Sequence, residues 1–212
     1  MELKIILENI GKHFNREWVF RNINQTLLSN ESYAILGANG SGKSTLLQLI
    51  ASNLSPSIGK ISYVSAGETS VDPATIFKQI SLVAPYLELI EEFSLEELIH
   101  FHFQFKKYLS GWGAEAVVEL LKLKNASSRA LKYFSSGMKQ RVKLALAFCS
   151  DTPILLLDEP TTNLDNQGFD WYLSLVEQLA VHRLTVVCSN QEQEYQFCKH
   201  HILLDGYKDK SE

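Results

Sequence analysis

Disulfide patterns, zinc-binding patterns and long apolar segments are all missing from this sequence. Its 212 residues include only three cysteines, Cys149, Cys188 and Cys198, and none of them forms a CxxC pair. Their odd number argues against a disulfide framework and favours a reducing compartment. No segment approaches the roughly 18 apolar residues of a transmembrane helix, and the charged start, MELKIILENI, does not match a signal peptide. If the protein acts at a membrane, we therefore expect another chain to span it.

An excess of positive charge is missing as well. Lysine and arginine total 20 against 24 aspartates and glutamates, which gives a formal net charge of −4. Nothing in this balance indicates a surface that neutralises nucleic-acid phosphates, so nucleic acid is not an expected partner. The six histidines lack an HExxH pattern, and we interpret them as solvated or packing side chains. Hydrophobic residues make up 45 % of the chain, enough for the core of one domain.

Strand and helix patterns alternate at both ends of the chain. The segments LKIILENI and ESYAILGANG predict strands, and GKSTLLQLIASNL predicts a helix directly after the second strand. Near the C-terminus, PILLLDEP and RLTVVCSN are short apolar runs of the kind buried in parallel sheets, and HHILLDGYK carries an Asp-Gly pair typical of a hairpin turn. This alternation indicates an α/β fold.

Helical patterns dominate the middle third. Ser94 and Glu97 form a capping box, which predicts a helix that runs through LEELIHFHFQFKKYL. AEAVVELLKL predicts a second helix, and either Ser135 or Ser136 can cap a third over GMKQRVKLALAFC. We therefore expect a helical subdomain inserted into the α/β core.

A glycine-rich loop provides the clearest chemical motif. GANGSGKST matches the pattern G-x-x-x-x-G-K-[ST] between a predicted strand and a predicted helix. In such a loop the backbone N–H groups converge on phosphate oxygens, the lysine reaches the terminal phosphates and the serine ligates Mg²⁺. The predicted phosphate-binding residues are Gly37, Asn39, Gly40, Ser41, Gly42, Lys43, Ser44 and Thr45, with Lys43 also counted as catalytic and Ser44 as a metal ligand.

Two carboxylates follow a buried strand in ILLLDEP. Ligands gather at the carboxyl ends of parallel strands, so this is a suitable place for acid–base and metal chemistry. Asp158 is suited to hold Mg²⁺, and Glu159 is suited to polarise an attacking water as the catalytic base. The alternative is an ordinary solvated strand end, which the presence of the glycine-rich loop in the same chain disfavours.

A third motif, FSSGMKQR, precedes the aspartate strand. The order GANGSGKST, FSSGMKQR, ILLLDEPTTNLD resembles that of the ATP-binding cassette (ABC) ATPases over nearly the whole chain. The resemblance implies an α/β P-loop NTPase fold, with a RecA-like parallel-sheet core and an N-terminal antiparallel β portion. It implies a single cassette over residues 1–212, with the core at about 1–85 and 151–212 and the helical subdomain at about 86–150.

The resemblance also implies a dimer that binds ATP and Mg²⁺. In this family the signature residues, here Ser135, Ser136 and Gly137, contact the γ-phosphate of a nucleotide held by the other subunit. Two cassettes then clamp two ATP molecules head to tail, and Asp165 in TNLD faces the partner cassette. Phe14 lies where the family places an aromatic that stacks on adenine. Core packing remains an alternative for Phe14, and Trp18 is a rival stacker.

Two positions depart from the family pattern. Asn190 stands in place of a histidine that contacts the γ-phosphate, and Pro85 stands in place of a glutamine that touches magnesium. An asparagine can donate a hydrogen bond but cannot carry imidazolium charge, and a proline has no side-chain amide. Glu88 could replace the glutamine through a water, or it could simply be solvated. Losing one contact to a transition state costs about a hundredfold in rate, so we expect slow hydrolysis with binding preserved.

The resemblance implies a subunit that drives a separate transmembrane permease, together with a second identical or different cassette. The protein would then be cytoplasmic and peripheral on the inner face of the cell membrane. The signature SSGMKQR is similar to that of cassettes serving small exporters, which favours export. Two alternatives stay open: a non-catalytic nucleotide-binding subunit paired with a more typical cassette, and a soluble ABC ATPase that acts outside transport.

Overall fold

The computed structural model describes residues 3–65, 67 and 69–207, and its strands form two sheets. An antiparallel sheet has the order β2-β1-β4-β5, and a five-stranded sheet has the order β6-β7-β8-β3-β9. The strands are β1 (Leu3–Phe14), β2 (Glu17–Leu27), β3 (Ser32–Leu36), β4 (Ile58–Ser65), β5 (Thr69–Val71), β6 (Ile80–Val83), β7 (Ile154–Asp158), β8 (Leu184–Cys188) and β9 (His200–Leu203).

Every neighbouring pair in the five-stranded sheet is parallel. All five residues of β7 and all five of β8 are buried, which explains why these strands are mostly apolar rather than alternating. The carboxyl ends of β3, β6, β7 and β8 therefore meet at one edge of the sheet. The glycine-rich loop follows the end of β3, Pro85 follows β6, Glu159 follows β7 and Asn190 follows β8.

The described residues form six α-helices. They are α1 (Lys43–Ile50), α2 (Leu95–Phe105), α3 (Ala114–Leu121), α4 (Ser136–Phe148), α5 (Asn166–Leu179) and α6 (Glu192–Tyr195). Short 3₁₀ turns cover Ile76–Gln79, Lys124–Ala126, Leu131–Tyr133 and Leu204–Tyr207. Helices α2, α3 and α4 lie between β6 and β7 along the chain and share an apolar cluster that includes Ile99, Val117 and Val142. The predicted order of strands and helices is thus observed.

The capping box of α2 forms as predicted, but the helix is shorter than predicted. Ser94 Oγ accepts a hydrogen bond from the Glu97 N–H, and the Glu97 carboxylate accepts one from the Ser94 N–H at 2.8 Å. The helix ends at Phe105 instead of continuing to Leu109, and Lys106 is extended. The Lys106 ammonium donates to the carbonyls of Phe77 and Ile80, so a tertiary contact fixes the residue at which the helix ends.

The predicted Asp-Gly hairpin turn is not seen in residues 200–207, and a returning strand would lie after Tyr207, outside the described residues. Strand β9 pairs in parallel with β3, and Asp205 lies within the 3₁₀ turn Leu204–Tyr207. Leu204 is fully buried in the main core, and the Tyr207 hydroxyl accepts a hydrogen bond from Gln25 Nε2 at 3.3 Å. These two tertiary contacts hold the segment in a tight turn against β2.

Candidate functional site

The glycine-rich loop joins β3 to α1. Gly42 precedes the first residue of α1 with a φ of 100°, and a Cβ there would lie 2.4 Å from the Val19 side chain. Lys43 is buried, and its ammonium donates to the carbonyl of Gly37 at 2.8 Å and to that of Ala38 at 3.2 Å. The loop thus wraps around the lysine, because the positive φ at Gly42 lets the backbone turn there.

Most of the predicted phosphate-binding residues line one cavity. Its volume is about 270 Å³, and Glu159 lies on its wall together with the loop. Gly37 and Ser41 form the base of the loop instead, since Ser41 is buried and a Cβ on Gly37 would meet its hydroxyl at 2.5 Å. The residues that line the cavity are Val19, Asn39, Gly40, Gly42, Lys43, Ser44, Thr45 and Glu159.

Asp158 ends β7 beside the first turn of α1. Its carboxyl is buried, and burial raises the pKa of Asp158, although the nearby Ser44 hydroxyl opposes that shift. The second oxygen, Oδ2, has no hydrogen-bond partner within the described residues. A buried carboxylate oxygen without a partner, next to a serine hydroxyl, suits Mg²⁺, which prefers oxygen ligands and is usually shared with substrate phosphates. Asp158 and Ser44 therefore fit the predicted metal site.

Glu159 has a strained backbone, with a φ of 44°. Such a conformation is uncommon for a residue other than glycine and is characteristic of functional sites. The Glu159 N–H donates to the Cys188 carbonyl at 2.8 Å, which anchors the turn to the neighbouring strand. The side chain is exposed towards the cavity that the glycine-rich loop lines. This position suits a base that acts on water above the phosphates.

Asn190 follows the carboxyl end of β8 and reaches the glycine-rich loop. Its Nδ2 donates a hydrogen bond to Asn39 Oδ1. Ser189 supports the turn, because its hydroxyl accepts a hydrogen bond from the Gln191 N–H at 2.8 Å. Asn190 thus lies beside the phosphate loop, and its amide already makes a hydrogen bond within the chain.

Pro85 lies in a turn that follows β6. The Leu87 N–H donates to the Ala84 carbonyl at 3.2 Å, so Pro85 and Tyr86 occupy the central positions of this turn. Glu88, the suggested substitute for glutamine, lines a separate cavity of about 300 Å³ together with Lys143. Burial and the nearby Asp158 carboxylate raise the pKa of Tyr86, which the sequence did not single out, to about 12.

The two aromatic candidates for adenine stacking have different surroundings. Phe14 is 49 % exposed and lines an open cavity of about 700 Å³ that also includes Gly40 of the loop. Its exposure shows that the core-packing alternative is wrong. Trp18 is in contact with His13, at 4.8 Å between ring centroids, and with the Arg21 guanidinium, at 4.4 Å from the ring centroid. The Lys12 ammonium is likewise 5.1 Å from the Phe14 ring centroid, and Trp18 lines the same cavity, so a cation lies near each ring.

The signature residues Ser135, Ser136 and Gly137 lie at the start of α4. Ser135, not Ser136, caps α4, because its hydroxyl accepts a hydrogen bond from the Met138 N–H at 3.2 Å. A Cβ on Gly137 would lie 2.8 Å from the Asn163 carbonyl oxygen, so this glycine permits close contact with the segment after β7. Neither serine nor Gly137 is among the described residues that line the cavity at the phosphate loop.

Asp165 makes contacts within its own chain. Its Oδ1 accepts a hydrogen bond from the Gly168 N–H at 2.7 Å and caps α5. The Arg141 guanidinium of α4 is 3.9 Å from the same oxygen. Asp165 therefore connects the segment after β7 to the signature helix, and its side chain is 75 % exposed on that face.

Glu194 is a buried carboxylate that the sequence gave no reason to single out. Its Oε1 accepts a hydrogen bond from the Thr161 N–H at 3.1 Å, and the Tyr172 hydroxyl donates to its backbone carbonyl at 2.9 Å. Glu194 links the short helix after Asn190 to the segment after Glu159. A single glutamate in a polar stretch carries no local pattern that would reveal this role.

No helix in the described part of the chain is both long and apolar enough to cross a membrane.

Known relatives match the chain over most of its length. The family described as ABC transporter matches residues 20–162, which is more than half of the chain. The Nod factor export ATP-binding protein I of Rhizobium johnstonii is 32 % identical over 165 residues, covering 76 % of this chain and 52 % of the relative. The linearmycin resistance ATP-binding protein LnrL of Bacillus subtilis is 28 % identical over 193 residues, covering 88 % and 61 %. The chain thus spans between half and two thirds of the length of these relatives.

Solved structures agree with this assignment. The dimeric structure of a bacterial ABC transporter cassette matches with a TM-score of 0.80 at 25 % identity, covering 98 % of this chain and 97 % of that one. A post-hydrolysis cassette structure with ADP and Pi shares the fold, with a TM-score of 0.79 at 24 % identity. The predicted P-loop NTPase fold, with a parallel sheet and an additional antiparallel sheet, is confirmed. The chain belongs to the ABC transporter family, and its fold is that of the ABC ATPase cassette.

Proposed function

We propose that this chain is the ATP-binding and ATP-hydrolysing subunit of an ABC transporter and drives a separate transmembrane permease. One observation carries the proposal: Glu159 lies on the wall of the same small cavity as Lys43 and Ser44 of the glycine-rich loop. A phosphate cradle without a base would only bind nucleotide. A base on its wall adds the means to activate water against the terminal phosphate.

Each residue of the cavity has a role in this proposal. The glycine-rich loop from Gly37 to Thr45 cradles the phosphates, and Lys43 releases its two carbonyl contacts to reach them. Asp158 and Ser44 hold the magnesium ion, which, when bound, neutralises phosphate charge. Glu159 accepts a proton from the attacking water. Phe14 stacks on the adenine ring from the open cavity next to Gly40.

Asn190 supplies a neutral hydrogen bond where related cassettes have a histidine. Its amide can point to the terminal phosphate only after the bond to Asn39 opens. A neutral amide stabilises developing negative charge less well than imidazolium, because charge-assisted hydrogen bonds are roughly twice as strong as neutral ones. We therefore propose slow hydrolysis with nucleotide binding preserved.

The signature residues act on a second cassette. Ser135, Ser136 and Gly137 do not line the phosphate cavity of their own chain, and their helix N-terminus is suited to bind phosphate from another. We propose head-to-tail closure of two cassettes over two ATP molecules, with Asp165 facing the partner. The similarity to a dimeric cassette structure supports this arrangement.

The same proposal covers the organisation and location of the protein. Residues 1–212 act as one cassette, with a core at about 1–85 and 151–212 and a helical subdomain at about 86–150. The cassette is cytoplasmic and lies at the inner face of the membrane, bound to its permease. Export is the direction favoured, because the relatives include ATP-binding proteins named for Nod factor export and linearmycin resistance.

A second candidate is a nucleotide-binding subunit that does not turn over. The observation that favours it is the pair of replacements at Asn190 and Pro85, which leaves a site able to clamp ATP while a more typical cassette performs hydrolysis. A soluble ABC ATPase outside transport is the third reading. Binding of nucleic acid or ribosomes at low salt would favour it over the first two.

The substitution Glu159→Gln tests the catalytic proposal. It keeps the size of the side chain and removes the base, so phosphate release should fall by about a hundredfold or more while ATP binding persists. ATP should then trap a dimer that gel filtration resolves from the monomer. Detectable phosphate release by the wild-type protein excludes the non-catalytic reading, and unchanged release in the variant removes Glu159 as the base.

A further inference from the structure

The strained backbone at Glu159 is fixed by hydrogen bonds to its own peptide groups. Its φ is 44°, and such a conformation persists only where the surrounding contacts determine it. The Glu159 N–H donates to the Cys188 carbonyl of β8 at 2.8 Å, and the Glu159 carbonyl accepts from the Thr162 N–H at 3.2 Å. These contacts hold Glu159 itself, but not the two residues that follow it.

Side chains from two helices hold Pro160 and Thr161. Gln140 Nε2 of α4 donates to the Pro160 carbonyl at 2.7 Å. Glu194 Oε1 of α6 accepts hydrogen bonds from the Thr161 N–H, at 3.1 Å, and from the Thr161 hydroxyl. Both Gln140 and Glu194 are buried, so bulk water does not compete for these contacts. The position of the turn that carries Glu159 therefore depends on two side chains outside it.

Glu194 also belongs to the segment that begins with Asn190. It lies four residues after Asn190, and its backbone carbonyl accepts a hydrogen bond from the Tyr172 hydroxyl of α5 at 2.9 Å. Asp158 is opposite Cys188 in the parallel pair β7 and β8, so Glu159 and Asn190 follow neighbouring strand ends. Glu194 thus joins the segment of the proposed base to the segment of the proposed phosphate contact.

Stability of the fold does not by itself account for a carboxylate at position 194. Burying a carboxylate costs free energy unless its oxygens are paired. Glu194 is fully buried, and its Oε2 has no hydrogen-bond partner among the residues that the structure describes. Side chains that are costly to bury in this way are characteristic of functional sites.

We propose that Glu194 is a positioning residue for hydrolysis, and that by holding Thr161 it keeps the Glu159 carboxylate at the wall of the phosphate cavity. This inference rests on the proposed ATP-hydrolysing function. A displacement of about 1 Å in a catalytic group can cost on the order of a hundredfold in rate. Loss of the contact between Glu194 and Thr161 should therefore reduce turnover much more than nucleotide binding.

The first experiment compares Glu194→Ala with Glu194→Gln. Alanine removes the acceptor for Thr161, whereas glutamine keeps a side-chain oxygen that can accept the same hydrogen bonds. Phosphate release gives kcat and KM, and the stoichiometry of ADP binding in calorimetry corrects kcat for the fraction of folded protein. Glu194→Ala should lower the corrected kcat by about tenfold to a hundredfold with ADP affinity unchanged, and Glu194→Gln should stay within about threefold of the wild type.

Two further variants separate this contact from a general loss of stability. Thr161→Val keeps the size of the side chain but removes the hydroxyl donor, so the corrected kcat should fall by about fivefold. Tyr63→Phe is the control, since it also removes a buried hydroxyl, one that donates to the Ile50 carbonyl at 2.9 Å. Ile50 is the last residue of α1, at the opposite end of that helix from Lys43. Tyr63→Phe should therefore keep the wild-type kcat.

A double-mutant cycle with Glu159→Gln tests whether Glu194 acts through Glu159. Adding Glu194→Ala to Glu159→Gln should lower the residual single-turnover rate by no more than about twofold, because residues that act as a unit are not additive. An equal loss from Glu194→Ala in both backgrounds would overturn the inference. So would an unchanged kcat in Glu194→Ala or Thr161→Val, or an equal loss in Glu194→Ala and Glu194→Gln. If the wild-type protein bound ATP but released no phosphate, the proposed function would fail and this inference with it.

Discussion

Asn190, at the carboxyl end of β8, donates a hydrogen bond to the side chain of Asn39 in the glycine-rich loop, 151 residues away in the sequence. This bond joins the position of the missing histidine to the loop that would hold the phosphates. Both partners are neutral amides, so the contact can exchange for one to a phosphate at modest cost. On the proposed function, this pair would allow nucleotide binding while hydrolysis stays slow.

Replacing Asn190 by histidine should raise the rate of hydrolysis. An imidazole can carry positive charge towards the terminal phosphate, so we expect kcat to rise by roughly tenfold to a hundredfold with little change in KM. Steady-state phosphate release measures the effect, with ATP binding verified in parallel. Asn190→Ala serves as the control and should be slower than the wild type. An Asn190→His variant that binds ATP but turns over no faster would contradict the explanation for slow hydrolysis.

A binding experiment should distinguish the roles of Phe14 and Trp18. Stacking on a base contributes about 1–3 kcal/mol, so Phe14→Ala should weaken ATP binding by about tenfold or more. Binding of tripolyphosphate, which lacks the base, should stay the same. Trp18→Ala should instead lower the melting temperature, because the ring packs against His13 and Arg21. The opposite result, with only Trp18→Ala losing ATP affinity, would assign adenine stacking to the tryptophan.

Asp158→Asn should stabilise the fold while impairing the site. Burial raises the pKa of Asp158 in the folded state, so ionisation of this carboxyl at neutral pH costs folding free energy. The cost is present above the raised pKa and disappears as the pH falls below it. An uncharged asparagine removes the cost, and we expect the melting temperature to rise by roughly 3 °C at pH 7 and by less at pH 4.

The same variant should bind ADP without the benefit of Mg²⁺, since one metal ligand is lost. Calorimetry with and without Mg²⁺ checks this part, and thermal unfolding at the two pH values checks the first. A melting temperature that fell at pH 7 would show that the carboxylate stabilises the protein rather than straining it.

Local patterns in the sequence were enough to predict the main elements that carry chemistry. The glycine-rich loop, the buried β7 strand before Asp158 and the capping box at Ser94 are each encoded in fewer than ten consecutive residues. Each feature requires particular residue types: glycine for a positive φ, apolar residues for a buried strand, and a serine three residues before a glutamate for a capping box. The order of these motifs along the sequence indicated the fold class.

What the sequence did not reveal depends on contacts between distant segments. The position of the turn at Pro85 and Tyr86 beside the end of β7 depends on the register of β6 against β7. The early end of α2 depends on Lys106 reaching carbonyls of the preceding segment. The 3₁₀ turn at Asp205 goes together with the burial of Leu204 in the core. Periodicity within one segment does not carry this information.

Nucleotide binding by the loop from Gly37 to Thr45 is the claim on which the account depends. Calorimetry with Mg²⁺ should detect binding of both ATP and ADP by the wild-type protein. Lys43→Ala should weaken ATP binding by about a hundredfold, because a charged hydrogen bond to phosphate is lost, while Lys60→Ala on the exposed face of β4 should leave it unchanged. No measurable heat with either nucleotide, or equal ATP affinity in the wild type and Lys43→Ala, would contradict the account.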